Sequence, residues 1–170
     1  MNLPLKYLSN LPAETEQIAE EFGSMVSCGD FILLKGRLGA GKTKFVSGMV
    51  KYFCHANDSG NIVTSPTFSL MNRYFCGRDK SNKETIIDHF DFYRLKNVYD
   101  LENSGFFDSL SSDSITIAEW GDKIDFDYTN IIKNYYFEVS ITVKDADSKF
   151  TEENLYREII IEKKIINKYI

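Results

Sequence analysis

The residues whose types and spacing best fit a chemical task are Gly36-Arg37-Leu38-Gly39-Ala40-Gly41-Lys42-Thr43. They match G-x-x-x-x-G-K-[ST], the loop that cradles nucleotide phosphates. Gly36 and Gly41 let the backbone turn without a Cβ, so that successive N–H groups point inward at phosphate oxygens. Gly39 adds freedom in the middle of the loop. Lys42 carries a compact positive charge that reaches the β- and γ-phosphates, and Thr43 offers a hydroxyl to Mg²⁺. A helix beginning here aims the positive end of its dipole at the same anion.

Three further residues have a favourable place in the pattern. Asp91 closes Ile86-Ile87-Asp88-His89-Phe90-Asp91, where an acid at a strand end would complete a phosphate-bound Mg²⁺ site. Asp88 and His89 interrupt that run, which is less apolar than a buried parallel strand usually is. Glu119 ends Ser114-Ile115-Thr116-Ile117-Ala118-Glu119, and in open α/β sheets chemistry gathers outside the carboxyl ends of strands. Thr67, in Val63-Thr64-Ser65-Pro66-Thr67-Phe68-Ser69-Leu70, lies in a hydroxyl-rich loop. That loop is read equally well as a nucleotide-sensing switch or as a polar turn into a strand. Thr15 is a possible nucleotide-side contact, with a surface helix position the preferred reading. The simplest readings of His89, Arg94 and Trp120 are a structural histidine, a surface arginine and a core ring.

The elements that must hold these residues follow from periodicity. Phe31-Ile32-Leu33-Leu34 is a short apolar strand before the loop, and Phe45, Val46, Met49, Val50 and Phe53 recur at helical spacing after it. A helix starting near Pro12 buries Ile18, Ala19, Phe22 and Met25. Residues 68–75 have strand composition, 77–83 read as a turn, and a short helix spans Val98 to Glu102 with a turn at Gly105. Tyr135 to Val143 and Tyr156 to Glu162 alternate in polarity and predict an antiparallel hairpin. The expected fold is one α/β domain over residues 1–170, a three-layer P-loop NTPase with a mixed parallel and antiparallel sheet flanked by helices.

Composition narrows the class. The net charge of −5 and the lack of a basic patch argue against autonomous binding of DNA or RNA. No apolar run approaches the roughly 20 residues of a membrane span. Cys28, Cys54 and Cys76 read as reduced thiols of a cytoplasmic protein. No aspartate is followed three places on by glycine, and Asn82-Lys83-Glu84-Thr85 lacks the final aspartate of N-K-x-D, so guanine specificity is unsupported. The arginines, Arg37, Arg73, Arg78, Arg94 and Arg157, form no paired lid of the kind small-molecule kinases use.

Four blocks in this order resemble the TsaE family, bacterial ATPases of tRNA threonylcarbamoyladenosine biosynthesis. They are Gly36 to Thr43, Ser65-Pro66-Thr67-Phe68-Ser69-Leu70, His89-Phe90-Asp91-Phe92-Tyr93-Arg94-Leu95, and Glu119-Trp120, with Asp100-Leu101-Glu102 and Gly105-Phe106 between the last two. The resemblance implies binding of ATP phosphates by Gly36, Arg37, Leu38, Gly39, Ala40, Gly41 and Lys42. It implies Mg²⁺ held by Thr43 and Glu119, a switch-like Thr67, a Walker B-like Asp91, and Trp120 and Asp122 bordering the nucleotide. It also implies slow ATP hydrolysis that serves the TsaB–TsaD complex modifying tRNA adenosine 37, with tRNA met only indirectly. The alternatives are a small-molecule kinase and a nucleotide-gated interaction module with negligible hydrolysis. Arg37 departs from the family, which commonly carries an acid there.

Overall fold

In the computed structural model the described residues are 4–54, 62–78, 84–132, 134–145 and 155–166. The loop expected at 57–61, most of the turn at 77–83 and most of the polar loop at 144–154 lie outside them.

Seven strands form one sheet in the order β1-β7-β6-β2-β5-β4-β3. They are β1 (Leu5–Ser9), β2 (Phe31–Lys35), β3 (Met71–Arg78), β4 (Glu84–Asp91), β5 (Ser114–Glu119), β6 (Tyr136–Asp145) and β7 (Leu155–Lys164). The central four, β6, β2, β5 and β4, run parallel, while β3 pairs antiparallel with β4, and β7 pairs antiparallel with both β6 and β1. The mixed sheet and the C-terminal hairpin are as the alternation of residue types requires. Strand β1 carries no signal in the sequence. Its five residues are too few to show a period, and it exists because β7 offers it an edge.

Helices cover both faces. On one, α1 (Pro12–Gly23) and α2 (Lys42–Cys54) pack on Ile32, Leu34, Ile87, Ile115, Ile117, Val139 and Ile141. Gly48 lets them approach, since a Cβ there would lie 2.1 Å from the Glu16 carbonyl oxygen. On the other face, α3 (Val98–Glu102), α4 (Phe106–Ser109) and two 3-10 turns, at Gly121–Lys123 and Tyr128–Asn130, close over Phe31, Phe90, Phe92 and Tyr136. Asn97 caps α3 by accepting the Asp100 N–H, and the Asp100 carboxylate accepts the Lys96 N–H in return. This gives the expected three layers.

Several expectations need correction. Residues 68–75 are not one strand. Pro66 starts a turn in which the Leu70 N–H donates to the Pro66 carbonyl, so Phe68 lies in that turn and β3 begins at Met71. Thr15 is no surface residue; it is fully buried and its hydroxyl pairs with that of Ser9. The thiols of Cys54 and Cys76 are joined in a disulfide, because the end of α2 packs against β3 across a sequence separation of 22. Spacing alone cannot reveal such a meeting. The polar break in β4 is accommodated too: Asp88 pairs with Arg73 across the β3–β4 ladder, with Arg73 Nε 2.6 Å from Asp88 Oδ1.

Candidate functional site

Strand alternation puts the key side chains together. On β5, Glu119 continues the face of Ile115 and Ile117, and on β4, His89 and Asp91 continue the face of Ile87. Register aligns Asp91 with Glu119, and Glu119 with Leu34 at the end of β2. Both acids therefore emerge at the carboxyl ends of parallel strands, on the face where α2 begins. A one-residue slip of β5 would turn Glu119 into the aromatic layer on the other side.

A cavity of about 460 Å³ opens there. Its lining includes Leu38, Gly39, Ala40, Gly41, Lys42 and Thr43 from the loop and first turn of α2, together with Thr67, Asp91, Glu119 and Trp120. Of the residues anticipated from the sequence, three do not line it. Gly36 packs against β6, where a Cβ would lie 2.5 Å from the Ile141 carbonyl oxygen. Arg37 points its side chain to solvent and contributes its carbonyl to the loop. Asp122 is exposed on the turn after Trp120 and reaches the site only through its charge.

The polar groups are already paired with one another. The Lys42 ammonium donates to the carbonyls of Gly36 (2.8 Å) and Arg37 (3.2 Å) and sits 3.5 Å from the centre of the Trp120 ring. Lys42 is only 4% exposed. Burial pushes its pKa down, opposed by the charges of Glu119, Asp91 and Asp122. The Thr43 hydroxyl donates to Glu119 Oε1 at 2.9 Å. The same oxygen lies 3.0 Å from Nε2 of the fully buried His89, which fixes the carboxylate from behind. Asp91 accepts the hydroxyls of Ser65 and Thr67 on one oxygen and the Tyr93 N–H on the other. Trp120 holds a left-handed conformation, φ 66°, and its N–H donates to the Leu34 carbonyl. A non-glycine residue kept there costs energy that the surroundings must supply.

Ser65 and Tyr93 also line the cavity, and His89 reaches it through Glu119. Ser65 and Tyr93 sit within two residues of Thr67 and Asp91, a signal that was available. The partnership of His89 with Glu119 was not visible, since it depends on the pairing of β4 with β5.

The donor set also bears on the metal. Among the described residues no group of three or more His, Cys, Asp or Glu side chains could hold an ion. Thr43 and Glu119 offer hard oxygens side by side. That suits Mg²⁺, which takes few protein ligands and completes its shell with phosphate oxygens and water.

Comparison with known proteins gives a consistent family. The family described as "Threonylcarbamoyl adenosine biosynthesis protein TsaE" matches residues 9–153. A Rickettsia bellii protein named tRNA threonylcarbamoyladenosine biosynthesis protein TsaE is 33% identical over 140 residues, covering 82% of this chain and 88% of the relative. The Rickettsia conorii protein of the same name is 38% identical over 115 residues, covering 68% of this chain and 60% of the relative. The crystal structure of Bacillus subtilis YdiB superposes with a TM-score of 0.63 at 22% identity, covering 99% of this chain and 90% of that one, and supports the fold.

Proposed function

The chain belongs to the TsaE family, and on that premise we propose that it binds Mg·ATP, hydrolyses it slowly, and acts on the TsaB–TsaD complex in tRNA threonylcarbamoyladenosine formation. The observation that carries this reading is the set of residues meeting at the strand ends: the glycine loop, Lys42, and a Thr43 hydroxyl 2.9 Å from Glu119, with Asp91 level in register.

The chemistry asked of the chain is positioning and charge stabilisation. Loop amides and the first turn of α2, whose N–H groups have no partner within the helix, bind the phosphates. A lysine ammonium has three donors. Two of those on Lys42 face the Gly36 and Arg37 carbonyls, which aims the charge at the loop mouth. Thr43 and Glu119 would hold Mg²⁺, which supplies charge neutralisation at the phosphate oxygens. Asp91 and Thr67 would orient the groups around the γ-phosphate. Trp120 and Tyr93, with ring centres 5.1 Å apart, wall the cavity. No arginine lines the cavity among the described residues, which supports slow turnover unless a partner completes the site.

A second reading, a nucleotide-gated module with little hydrolysis, is favoured by one observation. Phe68 is 91% exposed on the loop whose Ser65 and Thr67 hydroxyls bind Asp91, so a change at the cavity would move an exposed ring.

Calorimetric titration with ATP, with and without Mg²⁺, and phosphate release by the wild type and Glu119→Ala test both. The expected result is Mg²⁺-dependent binding and slow turnover in the wild type, with the Mg²⁺ dependence lost in the variant. If Glu119→Ala keeps both Mg²⁺ dependence and turnover, the metal assignment is wrong. Binding without turnover, together with ATP-dependent affinity for TsaB–TsaD, selects the gated module.

A further inference from the structure

The glycine loop is braced from a side that the phosphate-binding pattern does not contain. Arg157 lies on β7, opposite Ser9 of β1 and Val143 of β6, and beyond residues 9–153 that match the family. Its Nε–H donates to the Ala40 carbonyl at 3.2 Å. The side chain also lies along the loop: a Cβ placed on Gly41 would be 3.6 Å from Arg157 Nε and 3.8 Å from its Cδ. The buried Thr15 methyl flanks the same point at 3.8 Å, and its hydroxyl is tied to Ser9.

Peptide geometry gives this contact a consequence. In a trans peptide the C=O and the following N–H point in opposite directions within one plane. The Ala40 carbonyl is drawn toward β7. The Gly41 N–H then points the opposite way, away from Arg157. The sheet order places Glu119 and Asp91 on that side and β7 on the opposite side of β2. With no Cβ on Gly41, this peptide can turn widely about the Gly41 N–Cα bond, and the φ of +108° it adopts is one of several open to glycine, so a contact outside the residue can choose it.

We propose that Arg157 is a positioning residue for phosphate binding: by holding the Ala40 carbonyl it fixes the Ala40–Gly41 peptide with the Gly41 N–H aimed into the cavity. This rests on the nucleotide reading above. A cation one strand beyond β6 thereby acts on the ligand through a backbone plane, without touching it.

The test uses the full chain, with Mg·ADP as the probe, and the variants Arg157→Ala, Arg157→Gln and Arg157→Lys. Calorimetry reads affinity, thermal unfolding reads stability, and the ¹H–¹⁵N signal of Gly41 reads the N–H itself. In the wild type, Mg·ADP should shift the Gly41 amide proton strongly downfield. Arg157→Ala should bind roughly ten-fold more weakly, the loss expected of one charge-assisted hydrogen bond, with the downfield shift reduced. Arg157→Lys, which can donate to the same carbonyl, should recover most of both. If Arg157→Ala fails to fold, Arg157→Gln, which keeps an N–H donor and most of the bulk, reads the loss of charge alone, and an affinity equal to that of Arg157→Lys supports the hydrogen bond. A wild type that binds Mg·ADP beside folded variants within about two-fold of it, with the Gly41 shift intact, overturns the role of Arg157 alone. A wild type that does not bind Mg·ADP overturns the nucleotide reading and this inference with it.

Discussion

Two regions of the molecule, the strand-end site and the aromatic cluster, treat burial in opposite ways. At the carboxyl ends of β2, β5 and β4, on the α2 side, the structure buries Lys42, His89, Asp91 and Glu119, and pairs each with a polar partner. On the other face it buries rings: Phe31, Phe90, Phe92, Phe106 and Tyr128 meet with centres 5.2 to 6.0 Å apart in tilted, stacked and edge contacts. Phe106 is their hub and is fully buried. That face also holds charge: Asp88, buried on β4 next to Phe90, pairs with Arg73, and at the rim Glu138 on β6 takes hydrogen bonds from Lys35, Tyr136 and Lys164. Apolar burial favours folding in proportion to area, whereas burying a paired charge returns little or nothing. The aromatic cluster should therefore carry stability, and the polar group at the strand ends should carry ligand affinity at little gain in stability.

That division can be broken experimentally. The largest expected effect is on Phe106→Ala, which should lose about 3–5 kcal/mol in urea unfolding while folded protein keeps its Mg·ADP affinity. A parallel fall in affinity would mean that the two regions are coupled.

Lys42→Ala should do the reverse, weakening Mg·ADP by about 30- to 100-fold with the melting temperature unchanged or raised. Its pH behaviour sharpens the point. Burial lowers the Lys42 pKa in the folded protein, so between that value and the ordinary 10.5 the folded state holds fewer protons than the unfolded one. Through that window this group makes stability rise with pH, while affinity for the anionic ligand falls as the ammonium is lost. The difference between wild type and Lys42→Ala, followed by melting and calorimetry, should show both slopes.

The smallest effect is at the rim. Burial opposes ionisation of Glu138, but hydrogen bonds from Lys35, Tyr136 and Lys164 outweigh it and hold the pKa below the usual carboxylate value. The stability this contributes is present above the unfolded-state pKa and is lost as pH falls through the folded one. Glu138→Gln should cost about 1 kcal/mol at neutral pH and remove that acid-side slope, with no change in nucleotide binding.

Much of this was legible along the chain. The glycine loop stands out because the phosphate-binding pattern requires fixed residue types at fixed spacing. The strands β6 and β7 follow from alternation, β2 and β5 from short strand-like runs, and the helices α1 and α2 from apolar periods of three to four. Asp91 and Glu119 could be named because each is an acid closing a strand-like run. Strand β1 and the turn at Phe68 were harder to see, since a five-residue strand has no measurable period and one Pro66–Leu70 hydrogen bond redirects the chain.

The sequence by itself thus determined a glycine loop of phosphate-binding pattern, the candidate residues around it, and a resemblance to the family to which the chain belongs. Local chemistry and local periods are written in consecutive residues. Only the tertiary structure decided that Glu119 sits between Thr43 and His89, that Lys42 lies under Trp120, that Cys54 meets Cys76, and that Arg157 reaches the Ala40 carbonyl. Each of those contacts is set by strand order and register, where partners 22 to 117 residues apart are joined by backbone ladders that no spacing along the chain encodes.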